Sequence, residues 1–253
     1  MKTIILAGGF GTRISEFTET IPKPMIKIGN KPVVWHIMNH YYKYGFKDFI
    51  LALGYKGEKL RDYFINYNHY NQDIQLSLLD NSVNVAQHSK LDWNIVLSDT
   101  GLNTLTGGRI KRLSDSVKKE AFMVTYGDGI CNVDLGNLLK FHKRTGKLAT
   151  VTAVRPAARF GELSIEGNLV KNFKEKPQVT DGWINGGYFI FEPEVLNYIK
   201  NDQTILEKDP LEILANEGQL AAYKHHDFWM CLDTKRDYDV LQEFYTKKMG
   251  YWS

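Results

Sequence analysis

Four consecutive apolar residues, Ile4 to Ala7, run straight into Gly8 and Gly9. An unbroken apolar run of this kind, β-branched at its start and stopped by glycine, predicts a strand over Thr3–Ala7 that is buried on both faces. The period then changes. Val34, Ile37, Met38, Tyr41 and Tyr42 fall at i, i+3, i+4, i+7 and i+8, which gives a helix one apolar face. Asn30 and Pro32 supply its start signals, and Gly45 ends it. "DFILALGY" predicts a second strand and "KGEKLRDYFINY" a second helix.

The alternation continues. "NIVLSDT", "AFMVTYGDG", "LATVTAV" and "WINGGYFIF" read as strands, with helices around "RIKRLSDSV" and "LGNLLKFHKRTG". Strands separated by helices predict a mostly parallel sheet covered on both faces. Two stretches depart from that rhythm. Residues 66–94 begin with polar and aromatic residues without helical period, then give a short strand, "IQLSLLD", and predict an excursion from the main sheet. "ELSIEGNLVKNFKEKP" predicts a hairpin turning at Gly167-Asn168. The chain beyond residue 192 reads as mostly helical. With no repeat, no low-complexity linker and no shift in composition, the expectation is one domain over 1–253. Its class is α/β: a Rossmann-like, mixed but mostly parallel sheet flanked by helices, with a small β excursion.

Composition narrows the partners. At about 150 residues per domain, 253 residues suit one large domain or two small ones, enough to bury a real core. A formal charge of +3 without a clustered Lys/Arg stripe argues against nucleic acid. The sequence has no apolar run of membrane-spanning length and no leader-like start, so no membrane is expected. Cys131 and Cys231 lie far apart without metal spacing, and are expected as free thiols in a reducing compartment, the cytoplasm.

Candidate chemistry gathers where strands end, because open α/β sheets bind ligands at the carboxyl ends of their strands. In "LAGGFGTR", Gly8, Gly9 and Gly11 free the backbone to bring N–H groups to an anion, Thr12 adds a hydroxyl, and Arg13 a permanent planar cation. The glycine spacing fits neither a Walker A loop nor a dinucleotide fingerprint, and a tight turn with a solvated arginine accounts for the loop equally well. In "IPKPM", two prolines stiffen the chain around Lys23. "VTYGDG" puts Asp128 just past a strand, where a carboxylate suits Mg²⁺; it also suits an ordinary turn. Asp233 in "WMCLDT" offers a second acid, and spacing alone does not show that the two meet. "FKEKP" places Glu175 and Lys176 on opposite faces of a strand unless its end opens. "INGGYFIF" lets a ligand approach the backbone at Asn185, Gly186 and Gly187. "TGGR" (106–109) feeds a helix whose N-terminus favours an anion. His36 and His40 have metal spacing but lack the glutamate of HExxH, and read as a pair on the helix's polar face. His225-His226 reads as strand-end or surface.

Taken in order, "LAGGFGTR", "PKPM", "GDG", "EKP", "NGG" and "DT" resemble the sugar-1-phosphate nucleotidyltransferases over essentially the whole chain. More narrowly, "IPKPMIKIGNKPVVWHIM", "LTGGRIKR", "ARFGEL" and "WINGGYFIF" are similar to the branch that joins CTP to glucose 1-phosphate. The resemblance implies the nucleotidyltransferase fold, with the nucleotide on Leu6, Ala7, Gly8, Gly9, Phe10, Gly11, Thr12 and Arg13. It implies that Arg13 and Lys23 hold triphosphate oxygens, that Thr104 and Arg109 lie near the nucleotide, and that Asp128 and Asp233 hold Mg²⁺. It further implies Glu175 on the sugar hydroxyls, Lys176 on the sugar phosphate, and Gly161, Asn185 and Gly186 around the sugar. Arg13, Lys23, Asp128 and Lys176 would then carry the catalysis. The partners implied are CTP, glucose 1-phosphate and further copies of the chain, in a homo-oligomer built on trimers, up to a hexamer. The aromatic C-terminus at Tyr251-Trp252 and the 66–94 excursion are expected to be subunit contacts.

Other readings remain. The same reaction could use another nucleotide or acceptor, since no residue reads the cytosine amine by chemistry alone. A catalytically silent binding or assembly subunit would not need Arg13, Lys23, Asp128, Lys176 and Asp233 together. A nicotinamide oxidoreductase has the wrong glycine spacing here.

Overall fold

The computed structural model describes residues 1–85, 91–156, 162–166, 169–174 and 182–252. Among these, seven strands form the central sheet: β1 (Thr3–Ala7), β2 (Asp48–Leu53), β3 (Asn94–Asp99), β4 (Phe122–Tyr126), β5 (Ala149–Val154), β6 (Ile184–Phe191) and β7 (Leu220–Lys224). Their order is β7-β5-β6-β4-β1-β2-β3. β1 pairs in parallel with β2 and β4, β2 with β3, and β5 with β7. β6 alone runs the other way, antiparallel to β4 and β5.

The unbroken apolar runs of the sequence have the expected cause. Side chains alternate across a strand, so a sheet covered on both faces needs both sets apolar. Ile5, Leu51, Met123 and Ile190 pack into one core. Ile4, Ile50, Val124 and Phe189 pack into the other. Helices α1 (Val33–Lys43), α2 (Gly57–Ile65), α4 (Leu135–Thr145) and α6 (Lys235–Lys247) contribute to the first core; α3 (Thr106–Arg112) and α5 (Asp209–Asn216) contribute to the second. Their ends are set by local chemistry: Asp134 caps α4 through the Asn137 N–H at 2.8 Å, and Gly146 closes it at φ +61°. Among the described residues no helix is long and apolar enough to cross a membrane.

Three local expectations change and a fourth is refined. Residues 66–72 lack an apolar period, yet Tyr67–Asn71 closes a helical turn, because Trp35 donates to the Tyr67 hydroxyl at 2.9 Å and Lys31 reaches Asn71. Beyond residue 192 helices dominate the regular structure as expected, but two strands interrupt them: Leu220–Lys224 is an edge strand and Trp229–Cys231 a short one. "LAAYK" has helix-forming composition, but the free edge of β5 decides its state. Tyr251 is buried in its own chain, its hydroxyl donating to the His36 carbonyl at 2.6 Å, and Trp252 packs beside it. The C-terminal aromatics therefore fold onto α1, where a subunit contact was expected.

His36 and His40 are not on a polar face either. Both are buried. The rings bond the carbonyls of Ile28 at 2.9 Å and Val133 at 2.8 Å through Nε2, which fixes the neutral Nε2–H form, and His36 Nδ1 accepts from Trp252. Burial pushes the His40 pKa down to about 4 and lowers that of His36. Between pH 6.5 and 4 the unfolded chain therefore binds a proton at His40 that the native chain does not, and stability falls as pH falls. From pH 7 to pH 5 this histidine alone removes about 2 kcal/mol. His40→Gln keeps a donor for Val133 without the titration, so the drop in urea-unfolding free energy from pH 7 to pH 5 should shrink by about that amount.

Candidate active site

Because β1 to β4 point the same way, their carboxyl ends share one edge, and the reversed β6 brings its first residues there too. The chain passes from β1 to β2 on one side, while β4 comes in on the other, so a crevice opens at the tip of β1. A cleft of about 660 Å³ lies there. Leu6, Ala7, Gly8, Gly9, Phe10 and Gly11 line it on one stretch of chain, and Lys23, Thr104, Arg109, Asp128, Asn185, Gly186 and Asp233 are among its other lining residues. Thr12 starts a 3-10 turn just outside the lining. The Arg13 side chain, Gly161, Glu175 and Lys176 lie outside the described residues.

Asp128 and Asp233 do meet. Gly129–Cys131, directly after Asp128, pairs antiparallel with Trp229–Cys231, and the Leu232 N–H donates to the Asp128 carbonyl at 2.9 Å. That two-strand ribbon closes a gap of a hundred residues. Thr234 caps α6 in a capping box with Asp237, whose carboxylate also takes the Asp233 N–H at 3.1 Å, so the threonine of "DT" sets the backbone of the acid before it.

Lys23 sits between the two acids. Its Nζ donates to Asp128 Oδ2 at 2.8 Å and to Asp233 Oδ1 at 2.5 Å. The prolines put it there: Pro22 enters a 3-10 turn over Lys23–Met25, and Pro24 packs so close to Gly127 that a Cβ on that glycine would lie 2.8 Å from the Pro24 ring. Burial opposes the ammonium, but the Asp128 charge and the hydrogen bonds to both carboxylates outweigh it and hold its pKa above the ordinary lysine range. Cys231 Sγ lies within 4.8 Å of a carboxylate oxygen of each acid. Burial, then the charges of Asp128 and Asp233, push this thiol far up, so it stays neutral. The potential ligands for a hard cation are therefore the two carboxylates, around a spot where a positive charge already sits.

Arg109 lines the cleft, but its guanidinium is turned inward. Nη1 donates to the carbonyls of Leu53 (2.9 Å) and Gly101 (2.8 Å) and to Thr100 Oγ1 (2.7 Å), and Nη2 to the carbonyls of Gly8 (3.0 Å) and Leu102 (3.3 Å). One side chain thus ties together the ends of β1, β2 and β3. Gly8 is a glycine for this reason, since a Cβ there would meet the Arg109 Cζ at 2.3 Å. Gly11 takes φ +66°, which turns the loop back toward Lys23.

The anion site expected at the start of "TGGR" is not formed. The N–H groups of Gly107 and Gly108 already donate to the Thr204 carbonyl, at 3.0 and 3.3 Å, and a Cβ on Gly108 would strike the Asp202 backbone at 2.5 Å. These glycines let α3 dock on the 201–207 loop. The sequence reading also overlooked Tyr126, Leu102, Asn103 and Trp229, all of which line the cleft. Tyr126 stands directly before "GDG" at a strand end, and that position was the available signal.

Comparison with known proteins agrees with this geometry. The family model described as "Nucleotidyl transferase" matches residues 2–248. The chain is 45% identical to a glucose-1-phosphate cytidylyltransferase of Salmonella typhi, over 100% of this chain and 98% of that protein. It is 33% identical to the mannose-1-phosphate guanylyltransferase catalytic subunit beta of Danio rerio, covering 94% of this chain and 62% of that longer protein. The crystal structure of HddC from Yersinia pseudotuberculosis superposes with a TM-score of 0.68 at 26% identity, over 96% of this chain and 99% of that one.

Arg109→Ala leaves buried acceptors unsatisfied at the tips of three strands. It should cost about 3 kcal/mol in urea unfolding. A loss below about 0.5 kcal/mol, the range of ordinary surface changes, would show that Arg109 is not a clamp.

Proposed function

We propose a substrate pair for a chain that belongs to the nucleotidyl transferase family: it moves the cytidylyl group of CTP onto α-D-glucose 1-phosphate, giving CDP-glucose and pyrophosphate. The observation that carries this reading is the convergence of Lys23, Asp128 and Asp233 under the Gly8–Gly11 loop in one cleft, in a chain matched from end to end by a cytidylyltransferase.

A phosphate oxygen of the sugar phosphate attacks the α-phosphorus of CTP, and the bond from that phosphorus to the β-phosphate oxygen breaks as pyrophosphate leaves. The attacking oxygen is already ionised, so no protein base is needed; the chain's task is to hold two anions in line and balance the charge that develops. The Gly8–Gly11 backbone cradles the nucleotide phosphates, with Thr12 and Arg13 at its end. Lys23 turns from its two carboxylates toward the leaving phosphates. Thr104 borders the nucleotide, over a floor that Arg109 holds in shape. Asn185 and Gly186 border the sugar, and Gly161, Glu175 and Lys176 complete that half on the strength of the motif resemblance. Asp128 and Asp233 would hold Mg²⁺; the donor set fits, with hard oxygens on both sides and the only nearby thiol neutral. Held there, Mg²⁺ would supply positive charge against the substrates' phosphates.

The same reading includes a homo-oligomer in the cytoplasm, built on trimers. A separate two-strand ribbon, Ile74–Leu76 with Val83–Val85, has Leu78 and Leu79 in its turn 82% and 97% exposed. Exposed apolar side chains gathered on one short ribbon and its turn suit burial against another subunit. A single monomeric species in sedimentation velocity at micromolar concentration would contradict that part.

Pyrophosphate release tests the reaction. CTP, UTP, dTTP, ATP and GTP are each paired with a panel of sugar 1-phosphates, with and without Mg²⁺. Metal-dependent release confined to CTP and glucose 1-phosphate is expected, and release with another pair would keep the chemistry and replace the substrates. Asp128→Asn should lower kcat at least about a hundredfold with the fold intact. Lys176→Ala should cut turnover strongly, and unchanged kinetics in a folded variant would remove it from the site.

A further inference from the structure

Behind the cleft wall a hydrogen-bonded chain joins its two halves. Thr106, at the start of α3, donates its hydroxyl to Glu207 Oε2 at 2.7 Å and accepts the Leu206 N–H at 2.9 Å. The other carboxylate oxygen, Oε1, takes the Tyr126 hydroxyl proton. Asn185 Nδ2 donates to the Tyr126 oxygen at 3.3 Å, and Asn185 Oδ1 accepts the Gly187 N–H at 2.8 Å. Tyr126 and Asn185 line the cleft; Glu207 does not.

Each link is directional. The phenol donates its one proton to Glu207 and keeps only lone pairs for Asn185. The asparagine must then turn its NH₂ to the tyrosine and its carbonyl to Gly187, which leaves one N–H and one lone pair of the amide for a ligand. The ring itself is fixed. Gly187, at φ +78°, lacks the Cβ that would lie 2.4 Å from Tyr126 Cδ2, and Phe189 meets the ring edge-on at 5.9 Å. Tyr126 is also the residue two before Asp128, so the strand that carries the acid carries the ring.

We propose that Glu207 is a positioning residue: acting through Tyr126, it orients the Asn185 amide for the hydroxyl groups of the sugar phosphate, and through Thr106 it locks that half of the cleft to the α3 wall. This rests on the substrate reading above, in which Asn185 faces the sugar. Glu207 touches neither substrate. Removing its partner on the ring frees the amide to rotate, so the loss falls on sugar-phosphate binding and spares the nucleotide.

Steady-state kinetics of Tyr126→Phe, Glu207→Ala and Glu207→Gln test this, using whichever substrate pair the wild type accepts. Tyr126→Phe should raise KM for the sugar phosphate about tenfold, the worth of one lost oriented hydrogen bond, with nucleotide KM within about twofold. Glu207→Ala should match it for the sugar phosphate. Glu207→Gln keeps an acceptor for the phenol and should restore most of the loss. Adding Tyr126→Phe to Glu207→Ala should change little further, because both cut one chain. A Tyr126→Phe enzyme with wild-type KM for the sugar phosphate overturns the proposal. So does an equal rise in both KM values, or failure of Glu207→Gln to rescue. The two readings fail separately: a wild type silent with every nucleotide and sugar phosphate overturns the substrate reading, whereas an active wild type with an unaffected Tyr126→Phe overturns only the role of Glu207.

Discussion

The Lys23 ammonium, 2.8 Å from Asp128 and 2.5 Å from Asp233, draws three distant stretches of chain to one point. Each stretch arrives by its own device: a proline-bracketed turn for Lys23, the end of β4 for Asp128, and a short ribbon followed by a capped helix for Asp233. Two carboxylates this close repel unless a cation lies between them, and about 2 kcal/mol rests on that cation at such half-buried depth. The contact that stabilises the cleft is therefore also the one a ligand must rearrange. On the proposed reading, a polyphosphate with its metal would offer both sides new partners: anions for the lysine and a divalent charge for the acids.

The rest of the cleft is rigid by comparison. Arg109 pins the tips of β1, β2 and β3 from below, and the chain from Thr106 through Glu207 and Tyr126 to Asn185 pins the far side. Both networks spend buried polar groups on holding backbone still. That suits a nucleotidyl transferase, whose rate comes from alignment of two phosphates and from charges fixed in advance.

Much of this was legible in the sequence, for identifiable reasons. Runs such as Ile4–Ala7 can be apolar on consecutive positions only in a sheet covered on both faces, and glycine at their ends marks the ligand edge. The charged residues that meet could be singled out because each follows a strand end or is gripped by prolines. What stayed hidden depends on side-chain direction. Arg109 is expected near the nucleotide, and only the folded edge shows five acceptors of the protein around its guanidinium. Gly107 and Gly108 read as an anion loop, and only the 201–207 loop packed against them shows why they lack side chains. His36 and His40 are polar by residue type, yet backbone carbonyls at 2.9 and 2.8 Å let them be buried as neutral rings. The edge strand Leu220–Lys224 is strand because β5 needs a neighbour, which no local propensity records.

The most direct test of the central claim is the thermal midpoint of Lys23→Met, measured with and without millimolar Mg²⁺ beside the wild type. With the ammonium gone, Asp128 and Asp233 lose the cation that lies between them, so the variant should melt several degrees below the wild type, by about ΔΔG/ΔSm for a chain of this size. Mg²⁺ should then raise the variant's midpoint well beyond any rise in the wild type, since the divalent ion takes the place the lysine held. A variant that melts like the wild type, or that does not respond to Mg²⁺, would contradict the claim that Lys23 and a metal cation share the two carboxylates.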